Sequence, residues 1–323
     1  MITRRPLASA NSILASSASR LSSPSRLRVL HTFPSIREDA RLKDFGRVIE
    51  DEYSTIRQKY ETPKNPIILA HGLLGFDEIR LAGSLLPGIE YWRGIKEAMA
   101  SNGIEVIITA VPRSGSIEAR AEKLGESIAE KAQGKSVNII AGLDARYMIS
   151  RLKPPNVKVL SLTTIASPHR GSAFADYMFD RIGPTMIPKL YKILEGFGFE
   201  TGAFSQLTRK YMAEKFNPKT PDLEGVRYYS YGASLDPTFW SVFRPSHNII
   251  QRLENAVNDG LVSVPSSRWG EYKGTLVGVS HLDLINWTNR LKYLMWSLTG
   301  SKRQFNAVAF YLDIADMLAK EGL

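Results

Sequence analysis

Two short segments late in this 323-residue chain carry side chains that can handle a proton together. Val257-Asn258-Asp259-Gly260-Leu261-Val262 places an acid in a turn, and Ser280-His281-Leu282-Asp283 follows the last β-type run. Taken singly, each has a bland explanation: Asn-Asp-Gly is a turn signal, and a lone histidine is usually structural. Paired in the chain order acid then histidine, they suit a general base and the carboxylate that fixes its tautomer and stabilises its charged form. A third segment, Leu69-Ala70-His71-Gly72-Leu73-Leu74-Gly75-Phe76, ends a buried apolar run in a glycine-bearing turn. Small residues there let backbone N–H groups face a cavity and hold the negative oxygen of a tetrahedral intermediate, although alone the motif is an ordinary strand-to-loop turn. The chemistry these three segments suit is acyl transfer. Asp259 is then the acid, His281 the base and the Leu73 amide an oxyanion donor.

For those residues to meet, an ordered scaffold must bring distant loops to one edge. Short β-branched runs alternate with longer helical patterns: Pro66 to Ala70, Glu105 to Val111, Val137 to Ala141, Val157 to Ala166, Val226 to Tyr231 and Thr275 to Val279. Such alternation predicts an α/β fold with a doubly wound, mostly parallel sheet, beginning near Asn65 and running to Leu323. An insertion at about 172–223 is rich in Phe, Tyr, Leu and Met but punctuated by Gly183-Pro184 and by Gly196-Phe197-Gly198. It reads as a helical cap, either packed core or a mobile lid whose apolar inner face meets lipid. Phe305, Val308, Leu312 and Ala315 recur at helical spacing and predict a packing helix. Residues 38–64 are charged and polar and suit a linker with a lead-in helix.

The chain is 43% hydrophobic, enough for a full core, and carries a formal charge of +10. A basic balance can signal nucleic acid or an anionic surface, but six of those charges come from Arg4, Arg5, Arg20, Arg26, Arg28 and Arg37. The remainder of the chain is left at only +4, and no repeat or nucleic-acid motif occurs in it. Residues 1–37 contain no acid and many serines, the composition of a mitochondrial transit peptide; a disordered basic tail is the alternative. The apolar runs there are broken by Ser and Arg before they reach the length of a secretory signal. No run is long enough to span a membrane, and the absence of cysteine excludes disulfides and thiolate metal sites.

Residues 69–95, with Glu90-Tyr91-Trp92-Arg93-Gly94-Ile95, resemble the opening of the lipases of the α/β-hydrolase family, both fungal mitochondrial triacylglycerol lipases and bacterial calcium-dependent ones. Ala166-Ser167-Pro168-His169-Arg170-Gly171-Ser172, Ser205-Gln206-Leu207-Thr208 and the Asp259 and His281 segments are similar to further parts of that family's pattern, over roughly residues 66–290. The resemblance implies hydrolysis of acylglycerol or other ester lipids, with transient contact to a membrane or lipid-droplet surface and no required organic cofactor. It also implies calcium between Asp236 of Leu235-Asp236-Pro237 and Asp283. Trp287 stands where the family usually has glutamine, and Asp236 alone would be a turn-initiating residue.

The family pattern also requires a serine elbow, His-Ser-x-Gly, between a strand and a helix. Here Val137-Asn138-Ile139-Ile140-Ala141 runs directly into Gly142-Leu143-Asp144-Ala145-Arg146-Tyr147, and four residues are missing between Ala141 and Gly142. Neither Gly232-Ala233-Ser234-Leu235-Asp236 nor Gly278-Val279-Ser280-His281-Leu282 completes a substitute. So short a turn requires the strand to shorten or the helix to unwind. The sequence therefore describes a lipase-like chain without its nucleophile, through decay or through in-frame loss of a segment; a non-catalytic lipid-binding or scaffold protein is the rival. A fluorescent protein fused to residues 1–37 should accumulate in mitochondria, and a cytosolic fusion would remove the targeting assignment.

Overall fold

Ile67–Ala70 has no polar side chain and is buried along its whole length, as a strand covered on both faces must be. In the computed structural model this strand, β2, lies inside a seven-stranded sheet in which every pairing is parallel. Its companions are β1 (Val48–Ile49), β5 (Val106–Thr109), β6 (Ser136–Ala141), β7 (Lys158–Ile165), β8 (Arg227–Ser234) and β9 (Glu271–Val277). The order across the sheet is β1-β9-β8-β7-β6-β2-β5, and β3 (Glu78–Ile79) with β4 (Ile89–Glu90) forms a separate antiparallel pair. The structure describes residues 47–50, 52–72, 78–79, 89–90, 92, 94–112, 115–181, 202–239, 241, 243–286 and 305–323. Residues 1–37, the expected transit peptide or basic tail, lie outside them.

Alternation along the strands builds a core on each face. Ile67 and Leu69 of β2 pack with Tyr231 of β8, with Ile95 and Met99 of α1 (Ile95–Ser101) and with Phe310 and Ile314 of α5 (Ala307–Lys320). Ile68 and Ala70 face the other way, toward Ala121, Leu124 and Ile128 of α2 (Ile117–Ala132) and Ala145 of α3 (Leu143–Tyr147). A further helix, α4, spans Arg244–Glu254. Two starts are fixed by their capping side chains: Ser116 Oγ accepts from Ala119 N at 3.2 Å, and Asn306 Oδ1 accepts from Val308 N at 3.1 Å.

Three expectations need correction. The sheet starts before Asn65, since Val48 and Ile49 pair with Thr275 and Leu276; residues 47–50 and 52–64 are not helical, and 38–46 and 51 of the expected lead-in lie outside the described residues. A two-residue strand flanked by Arg47 and Glu50 is too short to show a period. Strand β9 begins at Glu271, four residues earlier than the sequence suggests, because Glu271, Lys273 and Gly274 hide its first half. Gly274 sits at φ +146, where a Cβ would lie 2.6 Å from the Arg47 carbonyl oxygen. Strand β8 runs on to Ser234, three residues beyond the expected end. In the cap region, residues 173–181, 202–205 and 209–219 are helical, and 182–201 lie outside the described residues.

Chain direction reverses at the C-terminal ends of β2 and β6. After β2 the chain crosses outward to β5; it then returns to the far side of β2 as β6 and continues through β7, β8 and β9. Open α/β sheets place their ligand crevice at such a switch point. A buried arginine holds this one together. Arg120 of α2 donates to Asp144 Oδ2 through Nε at 2.9 Å and Nη2 at 2.6 Å, to the His71 carbonyl through Nη2 at 3.1 Å, and to the Pro112 carbonyl through Nη1. One guanidinium thus ties the chain leaving β2, the chain leaving β5 and the first turn of α3.

Replacing Arg120 alone leaves the Asp144 carboxylate buried without its cation. Arg120→Leu should cost about 3–5 kcal/mol in urea unfolding, and the double change Arg120→Leu/Asp144→Leu should recover most of the loss. A double variant as unstable as the single one would show that the carbonyl contacts, not the charge pair, carry the effect.

Candidate active site

Asp259 is reached by the chain after β8. Leu235 N donates to the Asn258 carbonyl at 2.9 Å, which brings the start of that excursion back to its end. The Asp259 side chain has no exposed surface and is satisfied at both oxygens. Oδ1 accepts from Leu261 N at 2.9 Å and Val262 N at 2.8 Å, closing the acid's own turn. Gly260 follows at φ +100 against Phe243, where a Cβ would stand 2.6 Å from the Phe243 Cβ, so only glycine fits.

His281 comes from the loop after β9. Val279 N donates to the Ser234 carbonyl at 2.9 Å, and Ser280 donates to Asp283 Oδ2 through its amide at 3.0 Å and its hydroxyl at 2.6 Å. These bonds set the turn that aims the imidazole. Its Nδ1 lies 2.6 Å from Asp259 Oδ2, and His281 N also donates to the Asp259 carbonyl at 3.2 Å. With Nδ1–H directed at the carboxylate, Nε2 is the ring nitrogen left to accept a proton. Burial opposes charge on this ring, whose side chain is 34% exposed, but the Asp259 carboxylate outweighs it and raises the pKa.

On the other side of the crevice, β2 ends at Ala70 and is followed by His71 and Gly72, with His71 Nδ1 3.0 Å from the Gly72 carbonyl. Leu73 lies outside the described residues. Beside β2, β6 reaches Ala141, Gly142 alone makes the turn, and α3 starts at Leu143. Neither the strand nor the helix start gives way, contrary to the expectation from the missing residues. Directly after α3 the chain continues as a π-helix at Met148–Leu152. A Cβ on Gly142 would meet the Ser167 hydroxyl at 3.2 Å.

This arrangement has close relatives. Triacylglycerol lipase 2 of Saccharomyces cerevisiae is 38% identical over a region that covers 83% of this chain and 95% of the yeast protein. The chain belongs to the triacylglycerol lipase family. A triacylglycerol lipase of Vibrio cholerae is 29% identical, over 83% of this chain and 91% of that protein. Among solved structures, the Staphylococcus hyicus lipase matches 82% of this chain and 98% of its own with a TM-score of 0.58 at 18% identity. A metagenomic carboxyl esterase matches 83% of this chain and 79% of its own with a TM-score of 0.62 at 16% identity. These two share the α/β-hydrolase fold. No protein-family model matches the chain.

The lipase-family segment Ser167-Pro168-His169-Arg170-Gly171-Ser172 serves here as a brace for the cap. Ala166 turns the end of β7 at φ +47, a conformation that costs a non-glycine residue about 1–2 kcal/mol. His169 is buried between Thr164 Oγ1 at 2.9 Å and Arg146 Nη1 at 3.2 Å, and stacks on Trp269. Burial, then Arg146 and Arg170, hold its pKa well below the ordinary imidazole value, so it stays neutral. Arg146 stands 3.5 Å from the Trp269 ring centre and donates to Asn217 Oδ1 and the Thr220 carbonyl, both at 3.1 Å. Burial brings its pKa down to about 10. Gln206, from the segment that resembles the family's lid, accepts from Ile117 N at 2.6 Å and donates to Glu118 at 2.8 Å. The described cap helices are thereby fastened to α2 and α3.

Of the two candidate calcium residues, Asp236 is exposed, while Asp283 is buried with Oδ2 committed to Ser280. Calcium takes about six to eight oxygens. Among the described residues no group of three or more His, Asp or Glu side chains stands together, and this pair does not by itself build that shell. Sequence inspection missed Arg120 and Arg146. An arginine on a helix pattern looks like a solvated charge, and neither residue's partners are near it in the chain.

The raised His281 pKa fixes a pH signature. NMR titration should place its midpoint above the ordinary imidazole value of about 6.5. The pair's contribution to stability is fully present below that ordinary value and is lost as pH rises through the raised one. In Asp259→Asn the midpoint should drop below the ordinary value, since burial then acts alone; an unchanged midpoint would refute the coupling.

Proposed function

We propose that this chain is a glyceride-lipase scaffold that keeps the base His281, its acid Asp259 and the oxyanion turn at Leu73, but lacks the serine on which they act. One observation carries the proposal: a single residue, Gly142, joins β6 to α3 at the switch point, while the imidazole and carboxylate are paired at 2.6 Å. In the complete site, a serine hydroxyl attacks the ester carbonyl as His281 Nε2 takes its proton. Asp259 stabilises the resulting imidazolium, and backbone amides hold the oxyanion. The alcohol leaves with the proton returned by His281, and water then releases the fatty acid by the same route. Without the serine no acyl-enzyme forms, and the second oxyanion donor, the amide after the serine, is lost with it. Removing the nucleophile from a comparable triad costs about 10⁶ in kcat.

The purified chain should therefore cleave a p-nitrophenyl ester no faster than background. Inserting His-Ser-Met-Gly between Ala141 and Gly142 should restore hydrolysis and raise the melting temperature, because strand-to-helix turns ordinarily take about 2–6 residues. Changing the inserted serine to alanine should abolish the activity and keep the added stability. Native activity that survives His281→Ala would sink the proposal and point to another nucleophile. If the insertion restores the turn but no turnover, the non-catalytic lipid-binding alternative takes its place.

A further inference from the structure

Ser172, the last residue of the segment that braces the cap, is buried, and its hydroxyl donates to the Leu261 carbonyl at 2.7 Å. Among the described residues that hydroxyl is the carbonyl's only hydrogen-bond partner. The carbonyl belongs to the peptide unit that carries the N–H of Val262, and Val262 N donates to Asp259 Oδ1 at 2.8 Å. A peptide unit is planar and almost always trans, so its C=O and N–H point in opposite directions and turn together. Holding the oxygen of the Leu261–Val262 unit therefore aims its N–H. The two oxygens of Asp259 belong to one rigid carboxylate, so the donor that seats Oδ1 also sets where Oδ2 meets His281 Nδ1, at 2.6 Å.

Ser172 is itself firmly placed. Its amide donates to the Leu207 carbonyl at 2.9 Å, and the next amide, Ala173 N, donates to Glu254 Oε1 at the end of α4 at 3.1 Å. On its other side, Ser266 Oγ donates to the Gly171 carbonyl at 2.6 Å and accepts from Arg170 N at 3.2 Å. The hydroxyl is thus fixed from the cap at Leu207, from α4 and from the short helical turn Val264–Ser267 that follows the acid. We propose that Ser172 is a positioning residue for the acid and base: by holding one peptide plane it keeps the Asp259 carboxylate turned toward His281. Ser172 bonds to neither side chain, and its whole effect passes through the Leu261–Val262 unit. The inference rests on the reading of Asp259 and His281 as acid and base for its purpose, not for its geometry.

The test reads two protons of the full chain by NMR. Hydrogen exchange reports the Val262 amide, and the His281 Nδ1 proton, held in a short bond to a carboxylate, gives a downfield resonance of its own. In Ser172→Ala the Val262 amide should exchange about tenfold faster, the scale of one hydrogen bond lost, and the Nδ1 resonance should move upfield and broaden. Ser172→Thr keeps the hydroxyl and should restore both. Ser172→Cys, close in size but a weak donor, should change both in the same direction as alanine and supplies the reading if the alanine variant does not fold. Gln206→Leu loosens the cap from α2 without touching the acid's turn, so it should lower the melting temperature and leave both protons as they are in the unaltered chain. Unchanged protons in Ser172→Ala would overturn the proposal. So would equal changes in Gln206→Leu, which would make the effect a general loosening of the cap. Neither proton needs turnover to be observed, so this test can fail while the inserted serine restores cleavage of an ester, or succeed when it does not.

Discussion

A guanidinium withdrawn from water needs acceptors for its donors, and the molecule is arranged around one that makes four such bonds at the point where the sheet changes direction. Arg120 spends its donors on Asp144 and on the carbonyls of His71 and Pro112, three segments that share no sequence neighbourhood. Asp144 also sits in the first turn of α3, where a negative side chain favours the helix start. The mouth of the crevice is thereby fixed from beneath, whatever the turn after β6 contains. In water such a pair would contribute little; here its removal one partner at a time is what the interior penalises.

The acid and base stand on a separate support. Asp259 is held by two amides of its own turn, and its backbone carbonyl receives the His281 amide. Of the flanking bonds, Leu235 to Asn258 closes the excursion after β8, and Val279 to Ser234 ties the loop after β9 to the end of β8. None of these bonds involves the β6 turn. The pair is thus preorganised independently of that turn, which is why a chain with a one-residue turn at Gly142 carries a well-formed imidazole–carboxylate contact.

The cap is attached by yet another set of contacts. Ile117 and Leu143 pack with Met212 and Phe216, and Arg146 reaches across to Asn217 and Thr220. Gly171 approaches the backbone of Arg209 so closely that a Cβ would lie 2.5 Å from its Cα. The one-residue turn at Gly142 thus sits beside a pair and a cap that each hold through contacts of their own.

The amino-acid sequence by itself determined the fold class, the strands with unbroken apolar runs, the acid and histidine, and the shortness of the turn at Gly142. Those features are local: a run, a motif or a gap is visible within a few residues. The two-residue edge strand at Val48 was hidden because its partner, Thr275, lies in the last strand of the sheet. The first half of β9 was hidden because Gly274 is chosen for a close backbone approach rather than for strand propensity. Only the tertiary structure decided that Arg120 and Arg146 are buried ties and that His169 is a neutral brace instead of a second base. The environment of an ionisable side chain is set by groups brought to it from other parts of the chain, and that assembly exists only once the sheet has formed.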